Sequence, residues 1–201
     1  MIRSAGRTRL TAEQRRETIL AAATAVFAER GYQRTKTAEI AAAVGVSEPV
    51  IFQNFGSKAE LFAAVLERAT TVAVAMLDGI RATRQPVAET LRHLLAPEHL
   101  DAMHAPGSVG VLFTEGTTSG ADPVVRTAAR AAVRRVVDEF AGLLAEGRRS
   151  GELREDFDPT TTAWSLVTFV AGRALRREVA DDADLEHRLI ELLLRPLVRE
   201  A

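Results

Sequence analysis

Apolar residues recur along this chain at spacings of three and four, and nowhere alternate with the period of two that a strand requires. Thr11-Ala-Glu-Gln14 has the form of a capping box, the stripe Ile19, Ala23, Val26, Phe27 follows, and Gly31 stops it. A first helix is predicted over about 12–30, with Tyr32 placed to pack back on its end. Thr37 reads as the N-cap of a short helix whose apolar side is Ile40, Ala41 and Val44 and whose stop is Gly45. Ser47 caps another, about Glu48–Asn54, with Val50, Ile51 and Phe52 as its apolar side. Ser57-Lys-Ala-Glu60 is a second capping box, opening a long helix whose stripe Phe62, Val65, Leu66, Ala69, Val72, Ala73, Met76, Ile80 runs through about Arg81.

The remainder also reads as helix. Gln85-Pro86 starts a segment through about Leu95, and Pro97 opens a short one through Met103. Ala105–Gly120 holds an apolar centre of Val109, Val111, Leu112 and Phe113 among Gly, Ser and Thr. It predicts a short, poorly stabilised helix, since each Gly costs about 1 kcal/mol against Ala. Asp122-Pro123 and Asp158-Pro159 each pair a cap with Pro at the first helical position. They predict a helix to Gly151, with Val125, Ala128, Ala132, Val136, Phe140 and Leu144 in register, and a second over 160–177. Asp182 or Asp184 caps a last helix ending near Leu197, apolar nearly all round. A terminal helix with two apolar faces must be buried on both. Either it is enclosed by its own chain, or two copies pair through a four-helix bundle. The second reading takes Trp164, Thr168, Ala171, Leu175, Leu189, Leu193 and Leu197 as the homodimer interface.

Two short helices joined at Gly45 fit a helix-turn-helix, whose second helix enters the DNA major groove, and equally a plain αα-corner. Charge favours the first reading. Residues 1–60 hold nine Lys/Arg against six Asp/Glu, while 61–201 hold 17 against 21, within a net charge of −1. A basic head on an acidic body points to a polyanionic partner for the head alone, although a solvated basic surface also fits. The chain's lysines, Lys36 and Lys58, flank the two-helix stretch.

Composition closes other routes. With 47% hydrophobic and 26% charged residues among 201, the chain is a folded protein with room for one or two domains. No apolar run approaches the roughly 18–20 residues that span a bilayer. Met1–Leu10 carries Arg3, Arg7 and Arg9 without the apolar core of a secretory signal, so it reads as a flexible basic tail. There is no cysteine, hence no disulfide, zinc knuckle or thiol nucleophile, and the cytoplasm is the expected compartment. His93, His99, His104 and His187 show no i, i+4 pairing, and His99, Asp101 and His104 do not converge as a metal site. Gly116-Thr-Thr-Ser-Gly120 puts Thr118 where a nucleophile elbow needs Ser, and lacks the preceding strand. Neither enzyme activity nor a cofactor nor a metal is expected.

Gly45-Val-Ser-Glu-Pro-Val-Ile-Phe-Gln-Asn-Phe-Gly-Ser-Lys-Ala-Glu-Leu61, with Ile19–Gly31 and Thr37 before it, resembles the signature of the TetR/AcrR family of bacterial transcriptional regulators. It departs at Phe52, where the family carries Tyr, and at Asn54, where it carries His. The resemblance implies an all-α protein: a three-helix DNA-binding head over 11–56 after the 1–10 tail, and a helical effector-binding and dimerisation body over 57–201. It further implies a homodimer on a palindromic double-stranded operator, released by a small effector, with no membrane association. Within that frame, Lys36, Thr37, Ser47 and Lys58 suit phosphate contacts, Thr37 and Ser47 because helix N-termini offer free N–H groups. Glu48 can accept from cytosine N4, Pro49 or Val50 can touch a thymine methyl, and Gln53 can read a base edge. Phe52 keeps the ring without the hydroxyl, and Asn54 can reach a phosphate or an adenine edge. The resemblance puts the effector between the long helix and its neighbours, where Met76, Leu77, Met103, Leu112, Phe113, Phe140 and Trp164 would line an apolar site for a lipophilic ligand. Each of these seven also fits a plain core position.

Overall fold

The computed structural model describes residues 11–105, 109–118, 122–182 and 184–198. The tail at 1–10 and parts of 105–120 lie outside the described residues, as do the side chains of Val109 and Val111. Among the described residues eleven helices follow in order: α1 (Ala12–Arg30), α2 (Thr37–Val44), α3 (Glu48–Phe55), α4 (Lys58–Ala82), α5 (Val87–Leu95), α6 (Pro97–His104), α7 (Val109–Thr118), α8 (Pro123–Ser150), α9 (Pro159–Ala171), α10 (Arg173–Val179) and α11 (Leu185–Leu194). The fold is all-α. Among the described residues the extended backbone pairing is a lone bridge, Leu153 to Val198.

The caps read from the sequence act largely as expected. Thr11 Oγ1 accepts from the Gln14 N–H at 3.1 Å, and Gln14 Oε1 accepts from the Thr11 N–H at 3.0 Å. Ser57 Oγ accepts from the Glu60 N–H at 3.1 Å, starting α4 one residue on. Asp122 and Asp158 cap α8 and α9, each ahead of a Pro in the first turn. Thr37 is a correction: Lys36 holds the N-cap, Thr37 lies inside the first turn, and the carboxylate of Glu39 takes the Lys36 N–H at 2.9 Å. Glu39 thus supplies one half of a capping box, and the Lys36 side chain, which has no acceptor, cannot supply the other.

The end of the chain departs further. The helix expected over 160–177 is two, broken at Gly172, and α10 begins by burying Arg173. Arg173 Nε donates to Glu186 on α11 at 2.9 Å, Nη1 to Asp101 on α6 at 3.1 Å, and Nη2 to the Pro97 carbonyl at 3.3 Å. The last helix stops at Leu194, and Leu197 follows in a turn, its carbonyl accepting from the Arg154 N–H at 2.9 Å.

Two apolar clusters form the interior. One joins α1 to α3 and the first half of α4 through Ile19, Phe27, Ile40, Ile51 and Phe62, and takes in Leu112 of α7 with Val125 and Ala129 of α8. The other lies among α4, α5, α8, α9 and α11 around Leu77, Leu91, Leu95, Leu144 and Leu166. Body helices therefore close the core of the head, and α4, packed chiefly against α8, runs through both clusters.

Candidate nucleic-acid interface

Three helices present α3. Its i, i+4 pair Ile51 and Phe55 is buried, at 0% and 6% exposure, against α1 and α4. Gly45, in the left-handed region at φ 69° and ψ 34°, turns the chain between α2 and α3, and the Val46 N–H returns to the Ala41 carbonyl at 3.0 Å. With one face fixed, helical spacing of three and four aims Pro49, Phe52 and Gln53 outward together, and all three are exposed. Phe52 is 41% exposed, a large ring facing outward on an eight-residue helix.

The other expected contact residues sort by position. Ser47 is the exposed N-cap of α3 and its hydroxyl makes no capping bond, so that terminus keeps a free hydroxyl beside its N–H groups. Glu48 and Val50 are half-buried, Val50 packing on the head core. Asn54 turns its amide inward, Nδ2 donating to the Val50 carbonyl at 2.7 Å. Lys36 is exposed, whereas Thr37 is 7% exposed. Lys58 sits with its ammonium 4.6 Å from the centre of the Tyr32 ring and donates to the Gln33 carbonyl at 3.4 Å. Partial burial lowers its pKa from the usual lysine value, a shift that the carboxylate of Glu39 opposes.

Two residues that sequence reasoning passed over shape this surface. The Tyr32 N–H donates to the Glu115 carboxylate of α7 at 3.2 Å, so a body helix holds the turn on which Lys58 rests. Beside it Gly31 has φ 78°, a backbone conformation that favours glycine, and a Cβ there would also press on that carboxylate at 2.8 Å. Arg16 of α1 reaches the far end of α3, donating from Nη1 to the Asn54 carbonyl at 2.5 Å. Both contacts join residues far apart in sequence, and no local pattern announces them.

The seven effector candidates do not share one environment. Met76 and Trp164 are each 43% exposed, Leu112 and Phe113 belong to the head cluster, and Leu77, Met103 and Phe140 to the body cluster. None of them lines the cavity of about 460 Å³ between α6, α10 and α11, walled by Asp101, Arg173, Arg176, Arg177 and Glu186. Of the interface candidates, Trp164, Thr168, Ala171 and Leu175 form an exposed stripe, Leu189 and Leu193 are half-buried, and Leu197 lies in its own core at 5% exposure. Among the described residues no group of three or more His, Asp or Glu could hold a metal, and no helix is long and apolar enough to cross a membrane.

A helix held by its inner face and offering its outer one, after a Gly-containing turn, has the arrangement of a DNA-binding helix-turn-helix. Residues 19–65 match the family model of bacterial regulatory proteins of the tetR family, and residues 114–193 match the tetracycline repressor-like C-terminal domain. The nucleoid occlusion factor SlmA of Marinobacter nauticus is 30% identical over 168 residues, 81% of this chain and 83% of that protein. The transcriptional activator FasR of Mycolicibacterium smegmatis is 50% identical over 60 residues, covering 30% of this chain and 27% of FasR. The regulator FadR of Bacillus subtilis, solved with stearoyl-CoA, superposes with a TM-score of 0.69 at 19% identity, over 90% of this chain and 98% of that one. The chain belongs to the TetR family and is a DNA-binding transcriptional regulator.

Proposed function

We propose that the protein is a ligand-responsive repressor that binds a palindromic operator as a homodimer and leaves it when a small lipophilic effector enters the body. The observation that carries the reading is the outward face of α3, where Pro49, Phe52 and Gln53 stand exposed together on a helix fixed from behind. Pro49 and Phe52 suit thymine methyls, Gln53 an adenine edge, and Glu48 a cytosine N4. Ser47, Lys36 and Lys58, with the backbone N–H at Thr37, form a phosphate-contacting rim. The boundary near residue 56 separates the reading head from the responding body.

Homodimerisation is supported by the exposed stripe of Trp164, Thr168, Ala171 and Leu175, and by Leu192 on α11 at 68% exposure. A palindrome follows from two-fold pairing of two identical heads. For the effector, the apolar surroundings of Leu77, Met103 and Phe140 favour a lipophilic molecule, as does stearoyl-CoA in a regulator of the same fold. Such a ligand would act on the head through α7, whose Leu112 and Glu115 both engage it.

Selection of duplexes from a random-sequence pool, followed by sedimentation of the complex, tests the reading. The expected product is a sequence with two-fold symmetry bound by two chains. Enrichment of an asymmetric sequence by a single chain would overturn it.

A further inference from the structure

The geometry points to Arg16 as a positioning residue that sets the pose of α3 on the head; this rests on the reading role proposed for α3. An eight-residue helix is too short to hold itself in water, where isolated helices below about 12–15 residues are marginal. Its pose therefore depends on what grips its two ends. At the C-terminus the Gly56 N–H takes the Phe52 carbonyl at 2.7 Å and the Ser57 N–H takes the Phe55 carbonyl at 2.9 Å. The Asn54 carbonyl between them goes to Arg16, which comes from α1, 38 positions earlier.

Arg16 adds two further restraints. Its guanidinium carbon lies 4.2 Å from the centre of the Phe55 ring, so it clamps the last buried side chain of α3 as well as its backbone. Its charge also meets the negative end of the helix dipole. The side chain is itself exposed, so the apolar core beneath it does not depend on its presence. Asn54, next to the clamped carbonyl, spends its own amide on Val50 and offers no competing hold.

The consequence concerns discrimination between sequences. Base readers on an outward face work only within about 0.5 Å of their productive placement. A small rotation of α3 displaces Pro49, Phe52 and Gln53 together and leaves the phosphate-facing Lys36 and Lys58, on other elements, where they are. Loss of Arg16 is thus expected to relax specificity while sparing the general attraction to DNA.

Arg16→Met keeps an apolar stem against Phe55 and removes the donor and the charge, and Arg16→Lys keeps a cationic donor. Both are compared with the wild type on the duplex it enriches from a random pool and on an unrelated duplex of equal length, at several salt concentrations. Arg16→Met is expected to lower the specific-to-unrelated affinity ratio about tenfold with an unchanged salt slope, and Arg16→Lys to recover part of that ratio. Equal loss on both duplexes with the slope reduced by about one would make Arg16 a phosphate contact and overturn the proposal. A lower melting temperature with the ratio intact would reduce it to a stabilising residue, and likewise overturn the proposal. Hydrogen exchange of the α3 amides without DNA provides an independent reading, and acceleration in Arg16→Met is expected. If the wild type enriches no duplex while that acceleration is present, the reading role fails and the positioning contact stands; no acceleration overturns the contact as well.

Discussion

At the scale of single residues, Lys58 and Gln53 occupy contrasting places. Lys58 is tethered over Tyr32 and to Gln33, and in the proposed rim its ammonium would contribute charge without sequence information. Lys58→Ala is expected to weaken binding equally on all duplexes and to lower the salt slope by about one; an unchanged slope removes Lys58 from the rim. Gln53 is exposed on the outward face beside Pro49 and Phe52. Gln53→Ala should change the sequence preference at one position per half-site, at roughly 1–3 kcal/mol for the affected base pair. A selection profile identical to that of the wild type would exclude it as a reader. His99 adds a pH response of stability. Burial, then the neighbouring His93 ring at 5.6 Å, lowers its pKa, and its Nε2 is buried without a hydrogen-bond partner. Because the folded pKa lies below the unfolded one, the unfolded chain takes up the proton first as pH falls. Stability is full above about pH 6.5 and declines below it, until the folded-state pKa is passed. Melting curves of wild type and His99→Gln between pH 7.5 and 5 should converge as the pH falls, and parallel curves would rule this out.

At the scale of elements, the short α10 opens on Arg173. Its guanidinium is nearly fully buried and holds α6 and α11 together through Asp101 and Glu186. Glu186→Ala leaves a buried charge unbalanced, which costs about 3–5 kcal/mol. For a chain of this size the melting temperature should fall by roughly 6–20 °C. A shift below 2 °C would show that Asp101 alone neutralises the arginine. Sequence periodicity placed α1, α3, α4 and α8 within a residue or so, because each opens on a local cap and carries a long or sharply ended apolar stripe. It merged α9 with α10, because the apolar stripe was carried across Gly172 although glycine is a helix stop elsewhere in the chain. α9 ends at Gly172, and the Arg173 that follows pairs with carboxylates 72 and 13 residues away. The Thr37 cap failed at the same scale: Lys36 takes the N-cap place, its carbonyl accepts the Glu39 N–H at 3.0 Å, and the Glu39 carboxylate accepts the Lys36 N–H.

At the scale of the molecule, the body serves the head. Leu112, Val125 and Ala129 complete the head's apolar cluster, and Glu115 fastens the turn after α1. Large apolar side chains stand exposed on α9, α10 and α11, among them Trp164, Leu175 and Leu192. Leu175 is 69% exposed there, so Leu175→Glu should leave the helical content of the chain intact. Sedimentation at micromolar concentration is expected to show a dimer for the wild type and a monomer for this variant. A monomeric wild type would remove the homodimer from the proposal.

Local chemistry by itself determined the all-helical class and two short helices meeting at Gly45, because caps, glycine stops and a 3.6-residue period act over neighbouring positions, while the resemblance of the 45–61 signature pointed to the family. The tertiary structure alone decided which side of α3 faces outward, since that depends on which side chains α1 and α4 cover. It turned the Asn54 amide back into its own helix and put Arg16 on the carbonyl of the same residue. It also divided the seven effector candidates among two cores and the surface. Those outcomes depend on contacts between distant segments, whose geometry is settled only when the whole chain packs.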